Sequence, residues 1–265
     1  MSSRSTPLRL FAALFCLVLV SGCAAPLSER WQGYPLGASP DNVTDQAIAS
    51  PTEQKDPIPD CSQVKCVALT FDDGPGTYTE SLLSILDRYN AKVTFFLIGK
   101  SVIKFPHIAK EELTEGHEIG NHTWSHQSLS QVSTSRAETE LQKADAAIKE
   151  ATGENPTLIR PPYGEIPESL KESLKTPMAL WSVDTMDWKT RNTKKTIKAA
   201  ESITPGSIVL MHDIHKSTVD AMPKILADLA AQGYHFVTVS QLIGDPTSGV
   251  AYGTGQHPDS QQKLQ

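Results

Sequence analysis

The chain has 265 residues, 24 Lys and Arg against 30 Asp and Glu, and a formal net charge of −6. That acidic balance argues against a nucleic-acid binder that works by counterion release and against a polybasic membrane-surface protein. With 39% hydrophobic residues and only four Cys, the chain is long enough for a real core, and it is neither wholly disordered nor a disulfide-built scaffold.

Arg4 and Arg9 precede an apolar run from Leu10 to Val20, which is too short to span a bilayer and has the length of a signal-peptide core. The run ends in Ser21-Gly22-Cys23 and resembles a bacterial lipoprotein signal. Residues 1–22 are therefore expected to be removed and Cys23 to carry a lipid, which places the protein outside the cytoplasm, anchored to the membrane of a bacterial envelope. A plain secreted protein with an incidental Cys is the alternative. Loss of residues 1–22 removes two Arg and no acid, which leaves a charge of −8. That charge gives no obvious patch for an anionic glycan. Residues 23–60 are expected to be a flexible linker, with six Pro after residue 24 and no sustained periodicity. Cys61 and Cys66 then remain as an even pair in an oxidising compartment, and a disulfide is expected. No second Cys pair exists to complete a structural zinc site.

From residue 61 to 244 strand and helix signals alternate. Strands are expected at Val67–Phe71, Lys92–Ile98, Glu118–Asn121, Thr157–Arg160, Ala179–Val183, Ser207–Met211 and His235–Val239. Helices are expected around Leu82–Tyr89, at Ile103–Leu113 with an interruption near Pro106, at Ser135–Ala151 stopped by Gly153, and near Glu168–Leu174, Lys194–Ser202 and Thr218–Gln232. The alternation predicts a parallel α/β sheet or barrel. Residues 245–265 read as a disordered tail rich in Gly, Gln, Ser and Pro.

Parallel α/β folds place their chemistry at strand ends. The first strand ends in Asp72-Asp73-Gly74-Pro75. Two adjacent carboxylates are costly unless a cation or a proton separates them, although a solvated turn has the same composition. His122 and His126, four apart, would stack on one face if the segment is helical, and would then form a two-His metal clip; two surface histidines are the bland reading. Arg160-Pro161-Pro162-Tyr163-Gly164, Asp184-Thr185-Met186-Asp187-Trp188 and Leu210-Met211-His212-Asp213 follow at the ends of further strands.

Together, in this order, the five segments resemble the polysaccharide deacetylase family (carbohydrate esterase family 4), over about residues 62–244. The resemblance implies a distorted (β/α) barrel of seven strands. It implies that Asp73, His122 and His126 hold one divalent ion, zinc foremost, with cobalt or nickel also admitted. It makes Asp72 the general base, Arg160 the residue that holds it, His212 the general acid and Asp187 the partner that keeps His212 protonated. Tyr163 would offer a backbone N–H to the oxyanion, and Trp188 and Leu210 would form the slot for the acetyl methyl. Trp188 and Leu210 could equally be ordinary core, and Tyr163 a turn residue. Asp72 and Asp73 can serve one site only if the strand breaks, because neighbours on an ideal strand face opposite ways; Gly74-Pro75 offers the reason. His215 and His235 are assigned to structure, and His107 and His257 to loop and tail.

The implied activity is removal of acetyl from N-acetylated sugars of an extracytoplasmic polysaccharide, peptidoglycan or chitin-like, by a monomer with no nucleic-acid partner. An esterase acting on O-acetyl groups of xylan would use the same groups. A glycan-binding lipoprotein without catalysis is the alternative from another class.

Overall fold

The computed structural model describes residues 57–174, 176–244, 246–247 and 249–253, so the expected signal peptide, Cys23 and most of the linker lie outside the described residues. The first strand, β1 (Cys66–Asp72), is buried along its whole length. Its alternation sends Val67, Leu69 and Phe71 to a helix-covered face, while Ala68 packs with Phe96, Leu158, Ala179 and Ile208 on the inner face. Asp72 follows Ala68 and Thr70 on that inner face, which is how a carboxylate arrives in the middle of the barrel.

After β1 come α1 (Thr79–Asp87), β2 (Thr94–Leu97), α2 (Gly99–Lys104), α3 (Pro106–Thr114), β3 (Glu118–Asn121) and α4 (Thr134–Thr152). The expected interruption near Pro106 is present: α2 ends at Phe105 (φ −133°, ψ 55°) and Pro106 opens α3. In α4 the Ser133 hydroxyl accepts from the Arg136 N–H at the N-cap, and Gly153, at φ 89°, closes the helix.

The second half runs through β4 (Leu158–Ile159), α5 (Glu168–Ser173), β5 (Met178–Ala179), β6 (Val183–Asp184), α6 (Asp187–Thr190), α7 (Thr193–Ala200), β7 (Ile208–Met211), α8 (Lys216–Val219), α9 (Met222–Ala231), β8 (His235–Phe236), α10 (Val239–Ile243) and β9 (Ala251–Tyr252). The helix expected over Thr218–Gln232 is two helices, α8 and α9, with Pro223 in the first turn of α9. The last expected strand stops at Phe236, because Thr238 and Gln241 form a capping box that starts α10.

All strand pairs are parallel, in the order β6-β7-β1-β2-β3-β4-β5-β9, with β8 pairing with the start of β1. The expected barrel of parallel strands and helices is thus found, but it holds more than seven strands. The segment expected as one strand, Ala179–Val183, is split: β5 pairs with β4, and β6 pairs with β7 near the other end of the order. Only residues 180–182 join them, so the sheet must curl until its two ends approach. The segment expected as tail supplies β9, which pairs with β5 and so belongs to the fold. Cys61 and Cys66 form the expected disulfide just before β1. Among the described residues no helix is long and apolar enough to cross a membrane.

Candidate active site

Asp72 ends β1 with its side chain turned inward and only 2% of its surface exposed. The strand breaks at Asp73, which takes φ 75°, one residue before the cis Gly74-Pro75 peptide. This left-handed turn brings the Asp73 carboxylate to the same side as that of Asp72. Gly74 is needed for close approach: a Cβ there would lie 2.9 Å from Asp213 Oδ1. Asp213 accepts from the Thr79 hydroxyl, and burial pushes its carboxyl up to about 7.

His122 to His126 is not a helical turn. It is an irregular loop with Thr123 at φ 67° and His126 at φ 58°, and these two residues bring the imidazole centroids to 5.0 Å. The loop is pinned from behind by α4. Asn121 Nδ2 donates to Leu141 O at 2.9 Å and to Asp145 Oδ1 at 2.6 Å, while Asn121 Oδ1 accepts from Thr123 N at 2.7 Å. Glu140 Oε2 accepts from Ser125 N and Oγ at 2.9 and 2.8 Å.

His122 Nδ1 donates to Arg160 O at 2.7 Å, which leaves the Nε2 lone pair free. Asp73 Oδ1 lies 3.6 Å from His122 Nε2 and 3.4 Å from His126 Nε2, and it is buried with no hydrogen-bond partner among the described residues. The three ligand atoms lie within 4.8 Å of one another. An orphaned carboxylate oxygen between two imidazole nitrogens, at separations long for a hydrogen bond, fits a divalent cation. Burial holds His122 down at about 3, so it is neutral, as a ligand must be.

Asp72 Oδ2 lies 3.7 Å from the same His122 Nε2. Its Oδ1 accepts from Arg160 Nη1 at 2.8 Å. Burial raises the Asp72 pKa, and the charges of Arg160 and His212 oppose that rise. Arg160 is itself fully buried, and all three of its nitrogens are satisfied. Nη1 also reaches Thr70 Oγ1, while Nε and Nη2 donate to Ala179 O and Leu180 O. Its guanidinium lies 4.0 Å from the Phe96 ring centroid. Gly120 makes room for that ring, since a Cβ there would fall 2.4 Å from Phe96 Cδ1.

His212 follows β7, and its Nδ1 donates to Asp187 Oδ1 at 2.9 Å. Asp187 Oδ2 accepts from His212 N and from the Thr218 hydroxyl, both at 2.7 Å. Burial pulls the His212 pKa down, but the Asp187 hydrogen bond and charge, with Asp72 and Asp73 further off, raise it to about 9. The first-half and second-half residues are therefore close enough to act on one another electrostatically.

Tyr163 sits in a single 3-10 turn at φ 62°, with its ring edge-on to His126 at 5.0 Å. Trp188 is 44% exposed, so it is not core, whereas Leu210 is buried in β7. His107, expected on a loop, lies exposed on α3, and His257 lies outside the described residues. Of the two histidines assigned to structure, His235 is exposed on β8, whereas His215 is buried and stacks on His212 at 5.9 Å, a proximity that no sequence signal marked. Thr70, Thr218 and Arg191 also join the site's surroundings without forewarning, since hydroxyl and guanidinium partners from distant segments leave no local pattern.

Fold and site together place a buried acid pair and a possible metal-holding triad at the strand ends of a parallel barrel, and the comparisons name a family. The polysaccharide deacetylase family model matches residues 60–178. A peptidoglycan-N-acetylglucosamine deacetylase, PgdA of Listeria monocytogenes, is 45% identical over 71% of this chain and 41% of its own length. A T48 deacetylase solved with substrate is 45% identical, covers 73% of this chain and 98% of that one, and superposes with a TM-score of 0.71. A family 4 acetyl xylan esterase from Clostridium thermocellum, solved with a cobalt ion, is 30% identical over 72% of this chain and 98% of that one, with a TM-score of 0.67. The chain belongs to the polysaccharide deacetylase family. It spans about two fifths of the length of the Listeria relative.

Proposed function

We propose that the protein is a metal-dependent hydrolase that removes acetyl from N-acetylated sugars of an extracytoplasmic polysaccharide, with peptidoglycan the foremost substrate. The observation that carries this reading is the sharing of one space: Asp72 Oδ2 and Asp73 Oδ1 both lie within 3.7 Å of His122 Nε2. A carboxylate that can take a proton therefore adjoins a three-residue ligand set. Asp73, His122 and His126 would hold a divalent cation, which would supply Lewis acidity toward the acetyl carbonyl and lower the pKa of water.

The chain's own groups do the rest. Asp72, oriented by Arg160, accepts the proton of the attacking water. The Tyr163 backbone N–H offers a donor for the oxyanion. His212, held charged by Asp187, gives a proton to the sugar nitrogen as the C–N bond breaks, so that acetate and a free amine leave. Trp188 and Leu210 border the acetyl methyl. Cys23 as a lipid anchor, with residues 23–60 as a tether, would hold this site beside the wall polymer, and the monomer suffices because every assigned group comes from one chain. Zinc is the foremost metal; cobalt and nickel suit the same donors.

Likeness to an acetyl xylan esterase supports a second reading, O-deacetylation of xylan with the same groups. Acetate release from N-acetylglucosamine oligomers, peptidoglycan and acetylxylan separates the two by rate. Chelator treatment should abolish release and Asp72→Asn should lower it steeply, and activity undiminished by both would remove the mechanism.

A further inference from the structure

The short helix α6 carries Trp188 and ends at Arg191, which adopts φ 46°. Arg191 Nε donates to Trp188 O at 2.7 Å, and Nη1 donates to His215 Nδ1 at 2.8 Å. A guanidinium has no lone pair to offer, so His215 must be the acceptor and neutral; its burial and the Arg191 charge both hold its pKa low. His215 in turn stacks on His212. Two hydrogen bonds thus fix the guanidinium, and both go to uncharged acceptors. Nη2 has no partner, and no carboxylate pairs with Arg191, among the described residues.

The surroundings share its sign. Between Trp188 and Ala200 the chain has Lys189, Arg191, Lys194, Lys195 and Lys198 and no acid, although its net charge is −6. Among the described residues, of these only Lys198 has a carboxylate partner, Glu201. The expectation that net charge leaves no patch for an anionic glycan is corrected by this run, because a global balance says nothing of where the charges lie.

We infer that Arg191 binds a carboxylate carried by the glycan substrate, next to the sugar that loses its acetyl group. This rests on the deacetylase reading above and narrows its substrate to a carboxylate-bearing glycan. Rigid placement of the fork favours bidentate recognition of a planar anion. A lipid surface would need flexible cations away from the cleft, whereas Arg191 is bonded to Trp188 and reaches His212 through one ring. A neutral glycan gives this unpaired guanidinium no partner. The carboxylate can be that of a lactyl group on the sugar or that of a peptide stem.

The test uses the full chain and the ratio of kcat/KM for a carboxylate-bearing oligomer to that for the same oligomer with its carboxyls amidated. One pair is peptide-free with lactyl carboxylates; a second pair carries peptide stems. In the unmodified protein the ratio should reach about 10 for one pair, the scale of one charge-assisted hydrogen bond, and the difference should lie in KM. Arg191→Ala should bring that ratio near 1, and Arg191→Lys should keep about half of it. An equal loss on both members of each pair would overturn the inference and leave Arg191 only a support for His215. A ratio near 1 in the unmodified protein would also overturn it. If no oligomer yields acetate, it is the deacetylase reading that fails instead.

Discussion

At the scale of single residues, the proposed mechanism sets two groups against each other. Asp72 must be free of its proton and His212 must hold one. Burial alone would do the reverse to both, and Arg160 and Asp187 counter it. His212 gives up its proton as pH rises through about 9. Asp187→Asn removes the strongest raising influence, so the alkaline limb of the rate–pH profile for acetate release should move toward acid by one unit or more. Thr218→Val should move it the same way but less, because one of the bonds to Asp187 is lost. Asp72→Asn keeps an acceptor for Arg160 and should lower kcat by about 10²–10⁴ with the circular dichroism spectrum unchanged. The placement of Asp72, Arg160, Asp187 and His212 was legible in sequence because each lies within a short segment at a strand end. His215 was legible only as a structural histidine, because its stacking on His212 depends on a turn between them that no periodicity encodes.

At the scale of elements, α4 sets the geometry of the two-histidine loop. Glu140, 1% exposed, and Asn121 tie residues 121–125 to the helix. Glu140→Ala should weaken binding of zinc or cobalt about 10–100-fold, read by calorimetric titration, while the apo protein keeps its helix content. The helix itself could be predicted from Ser133 at one end and Gly153 at the other. The loop could not: a spacing of four fits a helical turn as well as it fits this irregular path, and the anchors that choose between them lie 15 and more residues away. The same limit applies to Ala179–Val183, where a short run of mostly apolar residues conceals two strands at different places in the sheet. Local pattern reports that a segment is buried; the neighbour that buries it is decided by the closure of the barrel.

At the scale of the whole molecule, stability should depend on pH from both sides. His212, raised to about 9, contributes stability that is complete below the unfolded value near 6.5 and is lost as pH rises through about 9. His117, lowered to about 3 by burial, acts in the opposite direction: its stability is complete above about 6.5 and is lost as pH falls toward 3. Urea midpoints measured across pH should therefore form a dome, and His117→Gln should flatten its acid side. The disulfide between Cys61 and Cys66 closes a short ring ahead of β1, so replacing both residues by Ala should lower stability by roughly 2 kcal/mol without loss of kcat. A bound divalent ion should raise the melting temperature in a concentration-dependent way, and a chelator should reverse it.

Arg160 reaches from the end of β4 to the carbonyls of β5 and its following link, and across the interior to Thr70 and Asp72 of β1. It is a spoke as well as the hydrogen-bond partner of Asp72. Thr70 passes the connection on to Val209 of β7, so one guanidinium ties four strands to the hub. The carboxylate proposed to activate water is thus fastened to the part that keeps the wheel round. A change at this position cannot trade rate for robustness, because both would be lost in the same step. An engineer seeking a tougher enzyme should leave the hub alone and work on the rim.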